Sequence, residues 1–230
     1  MEPVKELMKD RIKVGRALSA EEMRDTYYGE TALQVYPAKA VLFNQGELPE
    51  TVYFLEKGLI KLVHLNPNGQ EIIVGLRHPG SFLGVASAIL GRQSSASAMT
   101  LTTCELHSTP AREFLSVTKG DIDFAWRIQQ ALSCDHYELT ETAARLGSVK
   151  TEQRLEWFLW QLVSMLNLDT SQKEIRLQLP ITQEEIGALI SSNATYVSKL
   201  LKKLEKSGIL RWDKGWLIIT DPQKLYHEDI

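Results

Sequence analysis

The hydrophobic pattern of this 230-residue chain changes its period once, near Gly120. Before that point, residues 33–109 consist of short runs rich in β-branched and aromatic residues that alternate with turn residues, which is typical of antiparallel strands. The clearest runs are 51–55, 59–65, 71–76 and 96–101, and Asn66-Pro67-Asn68-Gly69 is a strong hairpin turn. Beyond Gly120, apolar residues recur at helical spacing. The pattern therefore predicts an antiparallel sandwich or roll followed by helices.

The first helical segment, residues 121–147, carries a narrow apolar seam. Its apolar members recur at spacings of three, four or seven residues, with Asp135 at an intervening position: Ala125, Ile128, Leu132, Leu139, Ala143 and Leu146. A repeat of about 3.5 residues suits a long helix that pairs with a copy of itself, and it also suits a helix that packs within one chain. A second helix is predicted at 151–167, where a broader stripe indicates a core-facing surface.

Residues 181–206 predict two short helices joined by a tight turn. Thr182 and Glu185 have the spacing of a capping box, and Asn193 is a suitable N-cap for the second helix after the polar break. The buried face of that second helix is predicted to be Val197, Leu200, Leu201 and Leu204. Two strands around Asp213-Lys214-Gly215 then predict a β-hairpin wing. The whole segment indicates a winged helix-turn-helix, although an ordinary helical hairpin with a β-extension has the same pattern.

The net charge of −3 does not indicate a nucleic-acid partner, but it hides a basic segment. Residues 199–214 carry a local charge of +4, which suits a surface that meets phosphates and also suits a solvated helix face. We predict that the outward residues near the start of the second short helix contact bases, namely Ala194, Thr195, Ser198 and Lys199. Phosphate contacts are predicted from Thr182, Asn193, Tyr196, Lys202 and Lys203.

Several classes of protein lack their expected signals in this chain. Cys104 and Cys134 are too few for a disulfide framework or a four-cysteine metal site. No run approaches about 18 uncharged apolar residues, and the charged first residues lack the apolar core of a signal peptide, so we expect a cytoplasmic protein without a membrane span. No P-loop, GxGxxG or Ser-His-Asp spacing is present, and a cupin-like β-roll enzyme would need a close His-x-His. We therefore predict that the chain is not an enzyme.

Five motifs occur in order along the chain: Gln45-Gly46-Glu47, Val52-Tyr53-Phe54-Leu55-x-x-Gly58, Pro79-Gly80-Ser81-Phe82-Leu83-Gly84, Thr182-Gln183-Glu184-Glu185-Ile186-Gly187 and Val197-x-x-Leu200-Leu201-x-x-Leu204. In order and in spacing they resemble those of the cyclic-AMP receptor protein / fumarate-nitrate reductase regulator (Crp/Fnr) family of bacterial transcription regulators. The resemblance covers about residues 30–225, which is nearly the whole chain.

This resemblance implies an α+β architecture in three parts. Residues 1–120 would form an effector-sensing, antiparallel double-stranded β-roll like that of cyclic-nucleotide-binding domains, 121–147 a dimerisation helix, and 148–230 a winged helix-turn-helix DNA-binding domain. It also implies a homodimer that binds double-stranded DNA, acts with RNA polymerase and responds to a small molecule. Where well-known members carry Arg, Glu and a later Arg to contact bases, this chain has Ala194, Thr195 and Lys199. We therefore expect a different operator and a larger contribution from DNA shape.

The resemblance also bears on the effector. Cyclic-AMP-binding members carry a Glu for the ribose and an Arg for the phosphate where this chain has Val85 and Ser94. A phosphate in a poorly solvated pocket needs a cation, so we predict a mostly apolar or aromatic effector other than cyclic AMP. A cyclic-nucleotide-responsive regulator is the alternative, because Arg92 lies nearby. The predicted effector contacts lie between the roll and the long helix: Val85, Ser87, Ser94, Ser95, Ser97, Trp126, Gln129 and Tyr137.

No cofactor is identified from the sequence. The family's oxygen-sensing iron–sulfur type needs four cysteines, and no spacing among the five histidines marks a haem ligand, which leaves a haem open. A further alternative is a regulatory subunit that acts on another protein, and the predicted helix-turn-helix and wing argue against it.

Overall fold

The structure is a computed structural model that describes residues 33–225 except 167, 170, 171 and 173. The chain divides into two compact units, Met1–Thr140 and Glu141–Ile230, and their boundary falls within one long helix. Residues 1–32 of the predicted roll domain, and Asn167, the predicted last residue of the second helix, lie outside the described residues.

The described part of the first unit contains two antiparallel four-stranded sheets. Its strands are β1 (Gln34–Tyr36), β2 (Val41–Phe43), β3 (Thr51–Lys57), β4 (Ile60–Leu65), β5 (Glu71–Arg77), β6 (Phe82–Leu83), β7 (Ser97–Thr100) and β8 (Cys104–Pro110). One sheet has the order β1-β8-β3-β6 and the other β2-β7-β4-β5. The predicted turn joins β4 to β5, where Asn66 Oδ1 accepts hydrogen bonds from the backbone N–H groups of Asn68 and Gln70. The predicted antiparallel roll is confirmed.

The described part of the first unit also contains three helices: α1 (Val85–Leu90) between β6 and β7, and α2 (Ala111–Gly120) and α3 (Ile122–Ser148) after β8. Asp121 Oδ1 accepts a hydrogen bond from the backbone N–H of Phe124 at 2.9 Å and so caps the start of α3. The long helix predicted at 121–147 is therefore present, displaced by one residue at each end.

An aromatic core joins the roll to α2 and α3. Phe54 and Phe82 of the roll have ring centroids 4.9 Å apart, Phe114 of α2 lies 6.2 Å from Phe82, and Phe124 of α3 lies 5.6 Å from Phe114. All four side chains are buried, and tilted or edge-on ring contacts add to the stabilisation from burial. The first turns of α3 are therefore part of the main core of the first unit.

Two polar contacts, one of them an ion pair, extend this packing along α3. Arg77 Nη2 lies 3.4 Å from Asp135 Oδ2, and His78 Nε2 lies 3.8 Å from Glu138 Oε1. Burial raises the pKa of the Asp135 carboxyl above its usual value, and the Arg77 guanidinium opposes that rise. One face of α3 thus packs against its own roll as far as Glu138.

The structure corrects the predicted seam of α3. Ile128 is buried in the core of the first unit, Leu132 packs against the edge of that core, and Asp135 pairs with Arg77. The later members of the predicted seam are exposed: Leu139, Ala143 and Leu146. The periodicity suited both an intrachain helix and a self-pairing helix, and α3 divides the seam between an inward and an outward face.

A continuous stripe of exposed and half-buried residues nevertheless runs along α3, and Leu132 borders both this stripe and the core. Compared with the predicted seam, the stripe contains Gln129 in place of Ile128 and His136 in place of Asp135, and both of these polar residues are exposed. The resulting set alternates spacings of four and three, as a two-stranded coiled coil requires: Ala125, Gln129, Leu132, His136, Leu139, Ala143 and Leu146. We call this set the outward seam.

The described residues of the second unit form helices on a three-stranded antiparallel sheet of order β10-β11-β9. The elements are α4 (Thr151–Met165), β9 (Ile175–Leu177), α5 (Gln183–Leu189), α6 (Ala194–Lys206), β10 (Leu210–Asp213), β11 (Trp216–Ile219) and a 3-10 helix (Pro222–Leu225). The predicted wing is β10 and β11, whose turn residues Lys214 and Gly215 have φ of 48° and 85°. Strand β9 was not predicted from the sequence, and the helix predicted to reach 167 ends at Met165.

No helix in the described ranges combines the length and the apolar character that crossing a membrane requires.

Candidate nucleic-acid interface

The two predicted short helices of the second unit are α5 and α6, and both are capped as the sequence predicts. Thr182 Oγ1 accepts a hydrogen bond from Glu185 N at 3.2 Å, and Glu185 Oε2 accepts one from Thr182 N at 2.9 Å. Asn193 Oδ1 accepts a hydrogen bond from Tyr196 N at 2.9 Å at the start of α6. The buried face of α6 is the predicted one: Val197, Leu200, Leu201 and Leu204.

The turn between α5 and α6 lies directly against Gly187. Ser192 N donates a hydrogen bond to the Gly187 carbonyl at 2.7 Å, and Ser191 adopts a positive φ of 51°. A Cβ at position 187 would lie 3.0 Å from the Ser192 oxygen and 3.2 Å from the Asn193 carbonyl carbon. Because both are backbone atoms, the glycine allows the close approach that sets α6 against α5.

Gly187→Ala is expected to destabilise the second unit by about 1–3 kcal/mol, because the added methyl group overpacks against backbone. Urea unfolding followed by circular dichroism measures the change. Gly147→Ala is the matched control, since an added Cβ there meets nothing within 4 Å. Alanine also favours the helix, so a stabilisation of about 0.5–1 kcal/mol is expected for the control. Effects of the same sign and size in the two variants would contradict the close contact.

Arg154 of α4 holds the same turn. Its Nε donates to the Ile190 carbonyl at 2.9 Å, and its Nη2 donates to the Ser191 carbonyl at 3.4 Å. The other hydrogen bonds go to oxygens near the end of α3 and the start of α4: Leu146 O (3.4 Å), Val149 O (2.8 Å) and Thr151 Oγ1 (3.1 Å). The role of Arg154 was not predicted, because its partners in the turn are distant in the chain.

The exposed side of α6 carries a polar and basic stripe. Thr195, Lys199, Lys202 and Lys206 follow one another at spacings of four, three and four residues, so they share one face of the helix. They line a groove of about 800 Å³ together with Gln183 and the predicted contacts Ala194, Tyr196, Ser198 and Lys203. We call the four residues the α6 stripe. No ion pair to its lysines is present among the residues that the structure describes.

Two of the predicted phosphate contacts are engaged within the second unit. Lys203 Nζ lies 2.8 Å from Glu152 Oε2, and this hydrogen bond and charge raise the pKa of the Lys203 amine. The Thr182 hydroxyl accepts from Glu185 N and donates its proton to Glu185 Oε2 at 3.1 Å. The single proton of the Thr182 hydroxyl is therefore already donated, and the charge of Lys203 is already paired, although its ammonium group has further N–H donors.

The wing also pairs its arginine. Arg211 Nη2 lies 3.1 Å from Glu174 Oε2, and Arg176 Nη2 of β9 lies 3.2 Å from Asp213 Oδ2. With Arg211 and Lys203 neutralised, the positive charge of residues 199–214 is concentrated on the α6 stripe and on Lys214 at the tip of the wing.

The predicted effector contacts fall into different surroundings in the first unit. Val85 is buried in the core of the first unit, and the backbone N–H of Arg92 donates to the Ser87 carbonyl at 3.1 Å. Ser94 is buried and exchanges backbone hydrogen bonds with the Gly46–Glu47 turn, and Ser97 Oγ accepts one from Gln45 N. The Ser95 carbonyl lies 2.8 Å from His64 Nδ1.

The contacts predicted from α3 lie elsewhere. Trp126 and Tyr137 are exposed. Gln129 lines a groove of about 380 Å³ between α1, α2 and α3, whose other lining residues are Ile89, Thr118, Ala125, Ile128, Leu132, Ser133 and His136. Of the eight predicted residues, Gln129 lines this groove, and the aromatic core occupies the contact between the roll and the first turns of α3.

Comparison with protein families assigns both parts of the chain. Residues 33–121 match the family described as "Cyclic nucleotide-binding domain", and residues 153–228 match the family described as "Crp-like helix-turn-helix domain". The first match covers the roll and α2, and the second covers nearly all of the second unit after α3.

Relatives of known identity support both matches. The cAMP-activated global transcriptional regulator CRP of Salmonella typhimurium is 25% identical over 176 residues, which cover 76% of this chain and 83% of that protein. The global nitrogen regulator of Synechocystis sp. is 27% identical over 195 residues, which cover 84% of this chain and 86% of that protein. The solved structure of FixK2 from Bradyrhizobium japonicum has the same fold, with a TM-score of 0.73 at 18% identity over 84% of this chain and 94% of that one.

Proposed function

Because the chain belongs to the Crp/Fnr family of transcription regulators, we propose that it binds double-stranded DNA in a sequence-specific manner as a homodimer. The observation that carries this proposal is the α6 stripe, an exposed line of one threonine and three lysines on the second helix of a capped helix-turn-helix. A helix of this kind fits the major groove of B-DNA, where its first turns meet base edges.

Some residues of α6 contact bases and others contact phosphates. Ala194, Thr195, Ser198 and Lys199 occupy the first turns and contact base edges, where alanine suits a thymine methyl group and lysine suits guanine acceptors. Lys202 lies a turn further along the stripe and contacts phosphate. These contacts to base edges differ from those of family members that carry Arg, Glu and a later Arg at the same positions. The operator therefore differs from the operator of those members.

The homodimer forms through the outward seam of α3. A homodimer carries two copies of α6, and two-fold symmetric dimers of helix-turn-helix proteins bind two half-sites one helical turn apart. A single helix-turn-helix holds DNA weakly, and the second copy multiplies the affinity because its binding is intramolecular.

A small molecule other than cyclic AMP controls DNA binding through the first unit. Val85 has no polar side-chain atom, and Ser94 carries no charge, so neither residue can bind a ribose hydroxyl or a phosphate as Glu and Arg would. Regulation of transcription by this chain then proceeds through RNA polymerase, as the family resemblance implies.

Calorimetric titration of the purified protein with cyclic AMP is expected to show no heat of binding. A dissociation constant of about 1 μM would contradict this prediction. An ion-paired phosphate would need a cation, and Arg92 is an exposed residue next to the predicted site. If heat of binding does appear, the titration is repeated with Arg92→Ala. Loss of that signal in the variant would establish the cyclic-nucleotide-responsive alternative, with Arg92 in place of the missing arginine.

Selection of binding sites from a random DNA pool tests the proposed function directly. The expected result is an enriched sequence with two-fold symmetry, bound in a mobility-shift assay. Failure to enrich any sequence would contradict sequence-specific binding. A cupin-like enzyme is the less favoured function, since the described residues hold no group of three His, Cys, Asp or Glu side chains placed to bind a metal.

A further inference from the structure

Glu152 places a carboxylate on the surface that is proposed to face DNA. It lies in the first turn of α4 and lines the same groove as the α6 stripe. Its Oε2 atom is 2.8 Å from Lys203 Nζ, although the two residues are 51 positions apart in the chain. A negative group beside a DNA-facing lysine repels phosphate, so this placement needs an explanation.

The carboxylate makes a charge-assisted hydrogen bond with Lys203 Nζ of the kind that a phosphate oxygen can also make. The first turn of a helix favours negative charge, because its backbone N–H groups and the helix dipole are directed there. Lys203 is set toward α4, whereas Lys199 and Lys202 lie on the stripe and have no ion pair within the described part of the chain. Glu156, one turn further along α4, adds a second negative charge near Lys203.

The pair is weak enough to exchange with DNA. The side chains of Lys203 and Glu152 are 66% and 43% exposed, and exposed ion pairs contribute little to folding stability. A well-placed phosphate can therefore compete with the carboxylate for Lys203. Lys203 thus lines the groove, and its ion pair with Glu152 can be replaced.

We propose that Glu152 is a specificity-determining residue, which holds Lys203 as an internal substitute for phosphate and withholds it from DNA of random sequence. On the operator, base contacts fix the depth of α6, and a phosphate then replaces the carboxylate. On random DNA, where electrostatic contacts supply nearly all of the affinity, Lys203 stays with Glu152. This inference rests on the proposed binding of DNA through α6.

Glu152→Gln is expected to raise affinity for random DNA more than affinity for the selected operator. The salt slope of log affinity for random DNA becomes steeper by about 0.9 for each protomer, since one phosphate contact is gained. Over a fourfold rise in salt, each gained contact makes the affinity fall by about threefold more than in the unmodified protein. The slope on the operator stays unchanged, because Lys203 already contacts phosphate there. Fluorescence anisotropy across a series of salt concentrations measures both slopes.

Two further variants make the test decisive. When Glu152→Gln is combined with Lys203→Met, the gain in affinity for random DNA should disappear. A gain that persists in this double variant would show that Glu152 acts by direct repulsion of phosphate, and it would overturn the proposal. Asp221→Asn is the matched control, because Asp221 forms a similar exposed pair with Lys224 at 3.1 Å and does not line the groove. An equal gain in Asp221→Asn would reduce the effect to net charge and would likewise overturn it.

The same experiment distinguishes failure of the inference about Glu152 from failure of the proposed function. If Glu152→Gln changes nothing while Lys199→Ala weakens operator binding, α6 binds DNA and the inference about Glu152 is wrong. If neither substitution has an effect, α6 does not enter the groove and the proposed function itself fails. Unchanged thermal unfolding of Glu152→Gln is expected and confirms that the variants compare folded proteins.

Discussion

Leu139→Glu is expected to convert the protein from a dimer to a monomer and to weaken operator binding by about 100-fold or more. Leu139 is 49% exposed on the outward seam of α3, so a charge there leaves the core of the first unit intact. In a paired helix the same charge would face its own copy across an apolar contact, which is strongly unfavourable. The loss of affinity follows because a monomer engages one half-site at a time.

Light scattering and mobility shift measure the two parts of this prediction. Ala144→Glu is the matched control, because Ala144 is an exposed residue of the same helix that lies off the outward seam. The control should remain dimeric with unchanged affinity. A dimeric mass for Leu139→Glu would exclude the outward seam as the interface, and Ile122 and Trp126, which are exposed at the start of α3, would become the next candidates.

Lys199→Ala is expected to cost about 1–3 kcal/mol for each half-site of the operator and little on random DNA. The residue lies in the first turns of α6 on the α6 stripe, where a side chain reaches base edges. The two half-sites should lie about 34 Å apart along one face of the duplex, so a dimer experiences the loss twice. Binding isotherms on the selected operator and on a scrambled duplex measure the difference.

Lys202→Ala is the matched comparison, since it removes the same side chain one turn further along the stripe. It should weaken binding to all sequences alike and reduce the salt slope by about 0.9 for each protomer. Equal losses on operator and random DNA for Lys199→Ala would show that Lys199 contacts phosphate and does not contribute to base recognition.

The helix-turn-helix could be predicted from the sequence because its determinants are local. Capping boxes and N-caps join residues three positions apart, and Thr182, Glu185 and Asn193 make the predicted hydrogen bonds. The buried face of α6 likewise follows from the helical period alone. The β4–β5 hairpin of the roll and the hairpin of the wing could be predicted for the same reason, since their turns at 66–69 and 214–215 have their own signature.

The contacts that modify the interface could not be predicted, because each joins distant parts of the chain. Glu152 and Lys203 are 51 residues apart, and Glu174 and Arg211 are 37 residues apart. Strand β9 is three residues long and exists through its pairing with β11. No periodicity identifies such partners.

The division of the α3 seam had a different cause. Ile128 and Gln129 are both compatible with a repeat near 3.5, and an apolar residue is the natural choice for a seam. The roll takes Ile128 into its own core, and this leaves the polar Gln129 on the outward face. A buried contact within the chain thus decided which residue was available for pairing between chains.

The guanidinium of Arg154 has a consequence for local opening. Its N–H groups are divided between carbonyls near the end of α3 and carbonyls of the turn that precedes α6. When either segment separates from Arg154, its hydrogen bonds to the guanidinium are lost. Opening of one segment therefore lowers the free energy needed to open the other. The backbone at 146–151 and the backbone at 190–191 therefore belong to one cooperative unit of local unfolding, despite their distance in the chain.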